Sequence, residues 1–403
     1  MAREIFFQRT EFTSLTFSGG ELKTRETSEE SGYGVRILKD GRLGFAYCQD
    51  KEKREDALAR AENLSKFSPK SNFSFAPQSS FDTPDIFDEN LEPSDFRNLK
   101  SILEQAREGA ESFGARSKVV VSASKSRTEL ENSEGFSGSY EDTGFSLYVE
   151  AMHGEGLGIG YISSNHLVDV GEVSLNAAGM ARDMQSAKKP ESGTYTIVAQ
   201  IEALDTLLEV LMPSFSGDWK RRGITSLPGK EFSENLSIYD DPLSSGTSAK
   251  PFDDEGIPSR KKALIENGGV ESYLYDLETS ALSGEDGSGS CLRDSYDDNP
   301  SIGSSNLVIS PGTWNDLGEI GKYIELHYAH GSHTANLTTG DVGLEVSAAF
   351  LVDGEKRTPL KGFMISANIF EMFANIEAVE SKVRTVGSLT APRIAFSGVH
   401  VVS

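Results

Sequence analysis

The sequence predicts an α+β fold: an N-terminal α+β domain with an antiparallel sheet and helices over residues 1–190, and a C-terminal, mainly β domain over 191–403. Three observations point there. Short apolar runs broken by Gly, Asp and Ser clusters recur along most of the chain. Apolar residues at helical spacing interrupt the first half three times but become scarce beyond residue 235. Regular strand–helix alternation, the mark of a doubly wound sheet, is absent. At 403 residues there is room for two or three domains and for an ample core.

Residues 3–47 read as strands: Glu4–Gln8, Ser14–Ser18 and Glu21–Arg25 are short runs broken by polar clusters and Gly19-Gly20. Gly32–Leu38 and Arg42–Tyr47 flank Asp40-Gly41, predicting a hairpin whose turn needs positive φ. Asp50 is placed to cap a helix over 51–67, with Ala57, Leu58, Ala61, Leu64 and Phe67 on one stripe and Ser68-Pro69 as its stop. Residues 68–93, rich in Ser, Pro, Phe and Asp and without period, read as a surface loop. Ser94 or Asp95 caps a second helix carrying Phe96, Leu99, Ile102, Leu103, Ala106 and Ala110, ended by Gly114. Strands follow at 117–126, about 136–140, 144–152 and 156–163, and a third helix over 170–188 is closed by Pro190.

Pro190–Gly193 is the expected domain boundary. Thr194–Ala199 is a strand, and Ile201, Leu204, Leu207, Leu208 and Leu211 share one face of a helix at 201–212 that Pro213 ends. Residues 214–234 read as loop. Short strands follow, with one short helix near 369–374 and a Gly-, Ser- and Asp-rich mobile loop at 280–298.

Composition excludes several functions. With 39 Lys+Arg against 62 Asp+Glu the net charge is −23, which repels phosphate backbones. The densest basic runs, Lys220-Arg221-Arg222 and Arg260-Lys261-Lys262, are three residues each, so no direct nucleic-acid contact is expected. Apolar runs fall short of the ~20 residues of a membrane span. The opening residues lack an apolar segment of signal-peptide length. Cys48 and Cys291 cannot build a disulfide framework, so a cytoplasmic location is expected.

Motifs for chemistry are sparse. Gly154, Gly156, Gly158 and Gly160 alternate, but another strand-like run follows them directly, so close backbone approach or a bend is a better reading than a phosphate loop. His327, His330 and His333 form the one metal-like grouping. On a continuous strand His327 and His333 would lie roughly 20 Å apart with His330 opposite, so convergence requires a sharp turn at Gly331-Ser332. Cys291 lies beside Arg293 in the predicted loop, where a cation lowers a thiol pKa, although an idle thiol is the commoner outcome. Carboxylate runs such as Asp240-Asp241 and Asp253-Asp254-Glu255 read as solvated surface.

Several stretches, in order along nearly the whole chain, resemble the TldD/PmbA family, described as modulators of DNA gyrase and as metalloprotease subunits. They are Gly32–Arg36 with Gly41–Ala46 and the helix ending at Pro69; Ile238–Pro242 with Pro251–Pro258; Ile265–Gly268 through Thr279–Ala281; and Gly340-Asp341 with Gly354-Glu355. The resemblance implies two branches. The TldD-like branch is similar to a zinc peptidase with a His-Glu-x-x-x-His helix; the PmbA-like or TldE branch lacks that motif and pairs with the first. Here Leu208, Glu209 and Pro213 fall where His, Glu and His would stand, and no histidine occurs from 167 to 326. The chain therefore resembles the PmbA/TldE branch, with no catalytic residue and no cofactor of its own. The family usually opens with an extra helix before the first strand, whereas here the first strand begins almost at once.

The leading expectation is a non-catalytic subunit of a TldD/TldE-type metalloprotease complex, paired with a TldD-like catalytic subunit or with itself. Its C-terminal half would meet the partner, and an unfolded peptide would be held as an added strand. Two alternatives stand beside it: an autonomous metallohydrolase using His327, His330 and His333, and an acidic, non-enzymatic binding protein.

Overall fold

The computed structural model describes all 403 residues. The first half holds a six-stranded antiparallel sheet of β1 (Ala2–Ser18), β2 (Glu21–Lys39), β3 (Arg42–Cys48), β4 (Arg116–Asn132), β5 (Ser137–His153) and β6 (Gly156–Ser164), ordered β3-β2-β1-β4-β5-β6. The short strands expected here are pieces of long ones. Glu4–Gln8 and Ser14–Ser18 both belong to β1, Glu21–Arg25 runs on into Gly32–Leu38, and the runs near 136–140 and at 144–152 are one strand. Pairing explains the continuity: Arg9 stands opposite Ser31 on one side and Arg127 on the other, so ladder bonds carry β1 through a stretch without apolar signal. Asp40 (φ 52°) and Gly41 (φ 73°) make the expected β2–β3 turn.

Three helices, α1 (Arg54–Ser65), α2 (Phe96–Ala110) and α3 (Gly171–Met184), accompany this sheet. Asp95 caps α2 by accepting from the Asn98 N–H, whereas Asp50 precedes a single 3-10 turn and pairs with Lys53 instead. The period of two sorts the side chains. Odd-numbered Leu15, Phe17, Val119 and Val121 pack with α2 and α3, while even-numbered Phe6 and Leu130 pack on the other face with Phe136, Phe252 and Tyr296. The alternating glycines are the floor for α3. A Cβ on Gly158 would lie 1.9 Å from the Ala177 carbonyl oxygen, and one on Gly156 2.0 Å from that of Ala181. Residues 68–93 are irregular as expected, yet Phe73, Phe75, Ile86 and Leu91 are buried, so the segment covers core rather than lying free on the surface.

From β7 (Gly193–Ala199) onward the chain builds an eleven-stranded sheet. Its helices are α4 (Ile201–Leu211), α5 (Gly217–Arg222), α6 (Leu277–Ser283) and α7 (Ile369–Ala374). Short strands β8 (Ile238–Asp240), β9 (Lys262–Glu266), β10 (Gly269–Val270) and β13 (Leu307–Ile309) form one wing, while β11 (Cys291–Leu292) and β12 (Ser301–Ile302) pair separately. The other strands are β14 (Lys322–His330), β15 (Asp341–Asp353), β16 (Lys356–Leu360), β17 (Phe363–Asn368), β18 (Ile376–Val386) and β19 (Leu389–Val402). Several are long, where mostly short strands were expected. β7 pairs with β14 on one side and β19 on the other, and β15 and β17 complete the circuit, so five strands close a ring. The apolar stripes of α4 and α7 join the large core of this half.

The stretch 280–298 is not a loose loop. It starts in α6 and buries Ser288, Ser290, Cys291 and Tyr296. The carboxylates expected on the surface are likewise inside: Asp240, Asp253, Asp254 and Glu255 are all buried, whereas Asp241 is half-buried. Their purpose is visible at the seam between the halves. Arg36 on β2 is 2% exposed and donates from Nε and Nη2 to both oxygens of Glu4 on β1, each at 2.7 Å. Its Nη1 donates to Glu255 Oε1, also at 2.7 Å, and Glu255 Oε2 accepts from the Leu277 N–H. Arg293 adds a bond from Nη2 to Glu4 Oε1 at 2.9 Å and stacks on Phe6. Asp253 accepts from the N–H groups of Glu255, Ile257 and Cys291. Burial, then the carboxylates of Glu255 and Asp253, push the Cys291 thiol well up. The activated thiol suggested by the neighbouring arginine is therefore overturned: the arginine is spent on Glu4, and carboxylates surround the sulfur.

Two outcomes are expected. Arg36→Met leaves buried Glu255 without a cation and Glu4 with Arg293 alone, and costs about 3–5 kcal/mol in urea unfolding at neutral pH. That loss shrinks as pH falls, because a neutral carboxyl no longer needs the cation. Gly158→Ala forces α3 off β6 and costs about 1–3 kcal/mol, read as a lowered Tm.

Candidate functional site

The halves also face each other across a cleft. Ile159 and Tyr161 of β6, with Val173 and Asn176 of α3, form one wall; Glu202 of α4 with His327 and Tyr328 of β14 forms the other. A cavity of about 370 Å³ adjoins a second of about 470 Å³, and Ile159, Tyr161, Glu202 and Tyr328 line both. Tyr328 ties the walls together by donating from its hydroxyl to the Ile159 carbonyl oxygen at 2.9 Å.

Helix α4 supplies the floor. Ile201, Leu204, Leu207, Leu208 and Leu211 bury one face in the core, which leaves Glu202, Asp205 and Glu209 on the opposite side. The surrounding protein, then Glu209 and Glu202, push the Asp205 carboxyl up although much of its surface stays open. Leu208 is 1% exposed and packed in the core. Glu209 is exposed and accepts a hydrogen bond from the Ser332 hydroxyl at 2.6 Å. Pro213 lies in the 3-10 turn Met212–Phe215 that follows α4. An aliphatic side chain turned inward and a proline ring offer no lone pair, so this helix does not fit a zinc ion.

The three histidines do not supply a substitute. The chain does turn at Gly331, with φ 113°, but the imidazoles go separate ways. His327 Nε2 lies 2.8 Å from Glu325 Oε1, His330 Nε2 lies 3.2 Å from the Ser347 hydroxyl, and His333 sits in the turn beyond. No three His, Cys, Asp or Glu side chains in the chain are grouped so as to hold a metal.

What the cleft does contain is an ion-pair cluster that the sequence reading missed. Glu325 Oε1 accepts from Gln200 Nε2 at 2.8 Å and from Arg357 Nη2 at 3.1 Å, besides its contact with His327. Arg357 lies flat on Phe350, 3.4 Å from the ring centroid. Burial alone would raise Glu325, but His327 and Arg357 outweigh it and hold the carboxyl at about 2. The alternation of Glu325 and His327 on a strand was a usable signal; the arrival of Arg357 from β16 was not. The acidic side of α4 follows from the same periodicity that located its apolar stripe.

Because Glu325 titrates lower folded than unfolded, its stabilisation is complete above the ordinary value of 4.5 and is lost as pH falls towards about 2. Glu325→Gln is expected to cost about 2 kcal/mol at neutral pH, with the gap from wild type closing across that window. Urea unfolding of both proteins at several pH values checks it.

Comparison with known proteins adds the lineage. Profiles described as the PmbA/TldA metallopeptidase domain 1, central domain and C-terminal domain match residues 4–65, 89–185 and 192–403. An uncharacterized protein of Methanocaldococcus jannaschii is 28% identical, with 98% of this chain and 95% of that protein covered. A metalloprotease of Methanothermobacter thermautotrophicus is 25% identical over 92% of this chain and 86% of its own length. Among solved structures, a proposed modulator of a DNA gyrase from Thermotoga maritima matches with a TM-score of 0.91 at 22% identity, covering 100% of this chain and 96% of that one. TldE from Thermococcus kodakarensis matches at 0.88 and 21% identity, covering 100% and 97%. With its α+β halves, its cleft and its profile matches from end to end, the chain belongs to the PmbA/TldD metallopeptidase family.

Proposed function

We propose that this chain is the non-catalytic, TldE/PmbA-like member of a TldD/TldE-type metallopeptidase complex acting on unfolded peptides in the cytoplasm. One observation carries the reading: in a metallopeptidase family, the helix that floors the cleft presents a core leucine, an exposed glutamate bonded to Ser332, and a proline, a set that cannot hold zinc. The catalytic metal then belongs to a TldD-like partner. This chain contributes the second wall of a substrate passage and holds the partner's geometry, with residues 1–190 and 191–403 as its two working units.

The edge of the first sheet supports a peptide role. β6 has β5 as its only neighbour in the sheet and lines the cleft, so an extended peptide would meet main-chain donors and acceptors there without needing sequence-specific pockets. That suits a subunit handling unfolded chains of varied sequence.

Co-expression with a TldD-like subunit from the same source, followed by affinity purification and cleavage of an unstructured peptide, tests the proposal. The pair is expected to co-purify and to cleave in a chelator-sensitive way, while this chain alone does neither. Chelator-sensitive cleavage by this chain alone would overturn the non-catalytic reading. Failure of the two chains to associate would overturn the complex.

A further inference from the structure

The two densest basic runs of the chain, Lys220–Arg222 and Arg260–Lys262, both contribute to one cavity. It holds about 410 Å³ between α5, the start of β9, the segment after β10 and the turn after α6, and it shares no residue with the cleft. Most charges of the two runs are already paired. Arg221 and Arg222 meet Asp218, Lys261 lies over Tyr239, and buried Lys262 meets Asp240. Arg260 differs. It is exposed, makes one bond, from Nη2 to the Gly287 carbonyl oxygen at 3.1 Å, and pairs with no carboxylate. Glu271 and Asp286 line the same cavity, exposed and without a cation partner. Opposite charges therefore border one cavity without meeting. Lys220 and Glu285 do meet, at 3.2 Å, but both are well exposed, so their pair is weak.

A buried group marks the cavity as more than a solvated surface. Tyr275 is 6% exposed, and its hydroxyl has no hydrogen-bond partner. An unmade bond of this kind is costly. The residue is nonetheless held firmly. Ser288 Oγ accepts from the Tyr275 N–H at 2.6 Å and donates to its carbonyl oxygen at 3.0 Å, and a Cβ on Gly217 would lie 2.2 Å from the ring. Burial disfavours the Lys220 ammonium, but Glu285 and Tyr275 outweigh it and hold the lysine above its ordinary pKa.

We propose that this cavity binds a small zwitterion, a free α-amino acid or a short peptide with both termini free. The carboxylate would take Arg260, Lys220 and the Tyr275 hydroxyl; the ammonium would take Glu285 with Glu271 or Asp286. Such a ligand replaces the weak Lys220–Glu285 pair with a partner for each member, so neither charge is left bare. A dianion such as phosphate would suit the cations but face three carboxylates. Free amino acids and short peptides are what a peptidase complex releases, so the site would sense product. That meaning rests on the proposed function, whereas the binding does not.

The test uses the full chain alone, so a failed complex leaves it standing. Isothermal titration with alanyl-alanine is expected to give a Kd of about 1 mM or tighter. Alanyl-alanine amide, which lacks the carboxylate, and acetyl-alanyl-alanine, which lacks the ammonium, are each expected to bind at least roughly tenfold more weakly, as is inorganic phosphate. Arg260→Gln is expected to weaken alanyl-alanine about tenfold. Glu271→Gln with Asp286→Asn is expected to weaken alanyl-alanine while leaving the acetylated peptide unchanged. Tyr275→Phe is expected to weaken binding severalfold without lowering Tm, because the hydroxyl has no bond to lose. Thermal unfolding of every variant separates these effects from damage to the fold. No binding of alanyl-alanine at about 20 mM overturns the proposal. So does equal binding of the capped peptides, tighter binding of phosphate, or an affinity that Arg260→Gln does not change.

Discussion

The arrangement of the two halves depends on one buried cation. Arg36 belongs to the first sheet and has its near partner, Glu4, on the adjacent strand. Its far partner, Glu255, comes from a loop some two hundred residues later in the chain. Desolvating a guanidinium and two carboxylates is costly, and their attraction offsets this only with close, complete geometry. That geometry is met: the Arg36–carboxylate bonds are all 2.7 Å, and Leu277 satisfies the remaining oxygen of Glu255. Such a cluster contributes registration more than stability. A sliding of the 251–258 loop over the sheet would leave full charges unpaired in a dry seam, so the position of the second half on the first is held sharply.

The cleft inherits that precision. Its walls belong to different halves and meet directly: Tyr328 donates to a main-chain oxygen of β6, and Met184 of α3 packs with Ala348 and Phe350 of β15. The spacing of the walls is set by these contacts together with the seam, where Arg36 and Phe252 anchor the second half against the first sheet. Within the cleft the charged groups pair with one another. Glu325, His327 and Arg357 satisfy one another, and on the acidic side of α4 Glu202 pairs with Arg384 and Glu209 accepts from Ser332. A helix that buries leucine at position 208 gains core packing of a kind a histidine ligand would forgo.

Much of this was legible in the sequence. The α+β class, the Asp40-Gly41 hairpin, the apolar stripes of α2 and α4 and the crowding beneath the alternating glycines all follow from periodicity and backbone sterics. The losses share one cause, long-range pairing. Arg9–Thr13 of β1 has no strand signal because its order comes from neighbours on both sides. Asp253 and Glu255 look like surface because nothing local announces Arg36 or the waiting N–H groups. Residues 280–298 look mobile because Gly and Ser dominate, yet Ser288 and Cys291 are pinned from afar. The ion pairs of the cleft were hidden in the same way: Glu325 of β14 and Arg357 of β16 meet across the intervening β15, not through adjacency in sequence.

The closed ring of the second half bears on how this protein is made. β7 is the first strand of that half to be synthesised, and it bonds on one side to β19, nearly two hundred residues later. Until β19 leaves the ribosome, β7 has an open flank and α4 lacks part of the wall it packs against. The first half has its own helices and pairs its six strands only among themselves, so it can gather early. The second must wait with apolar strands exposed, a period in which local order is cheap but loop closure is slow. The nascent chain is thus the form in which this topology leaves a strand edge and apolar faces most open.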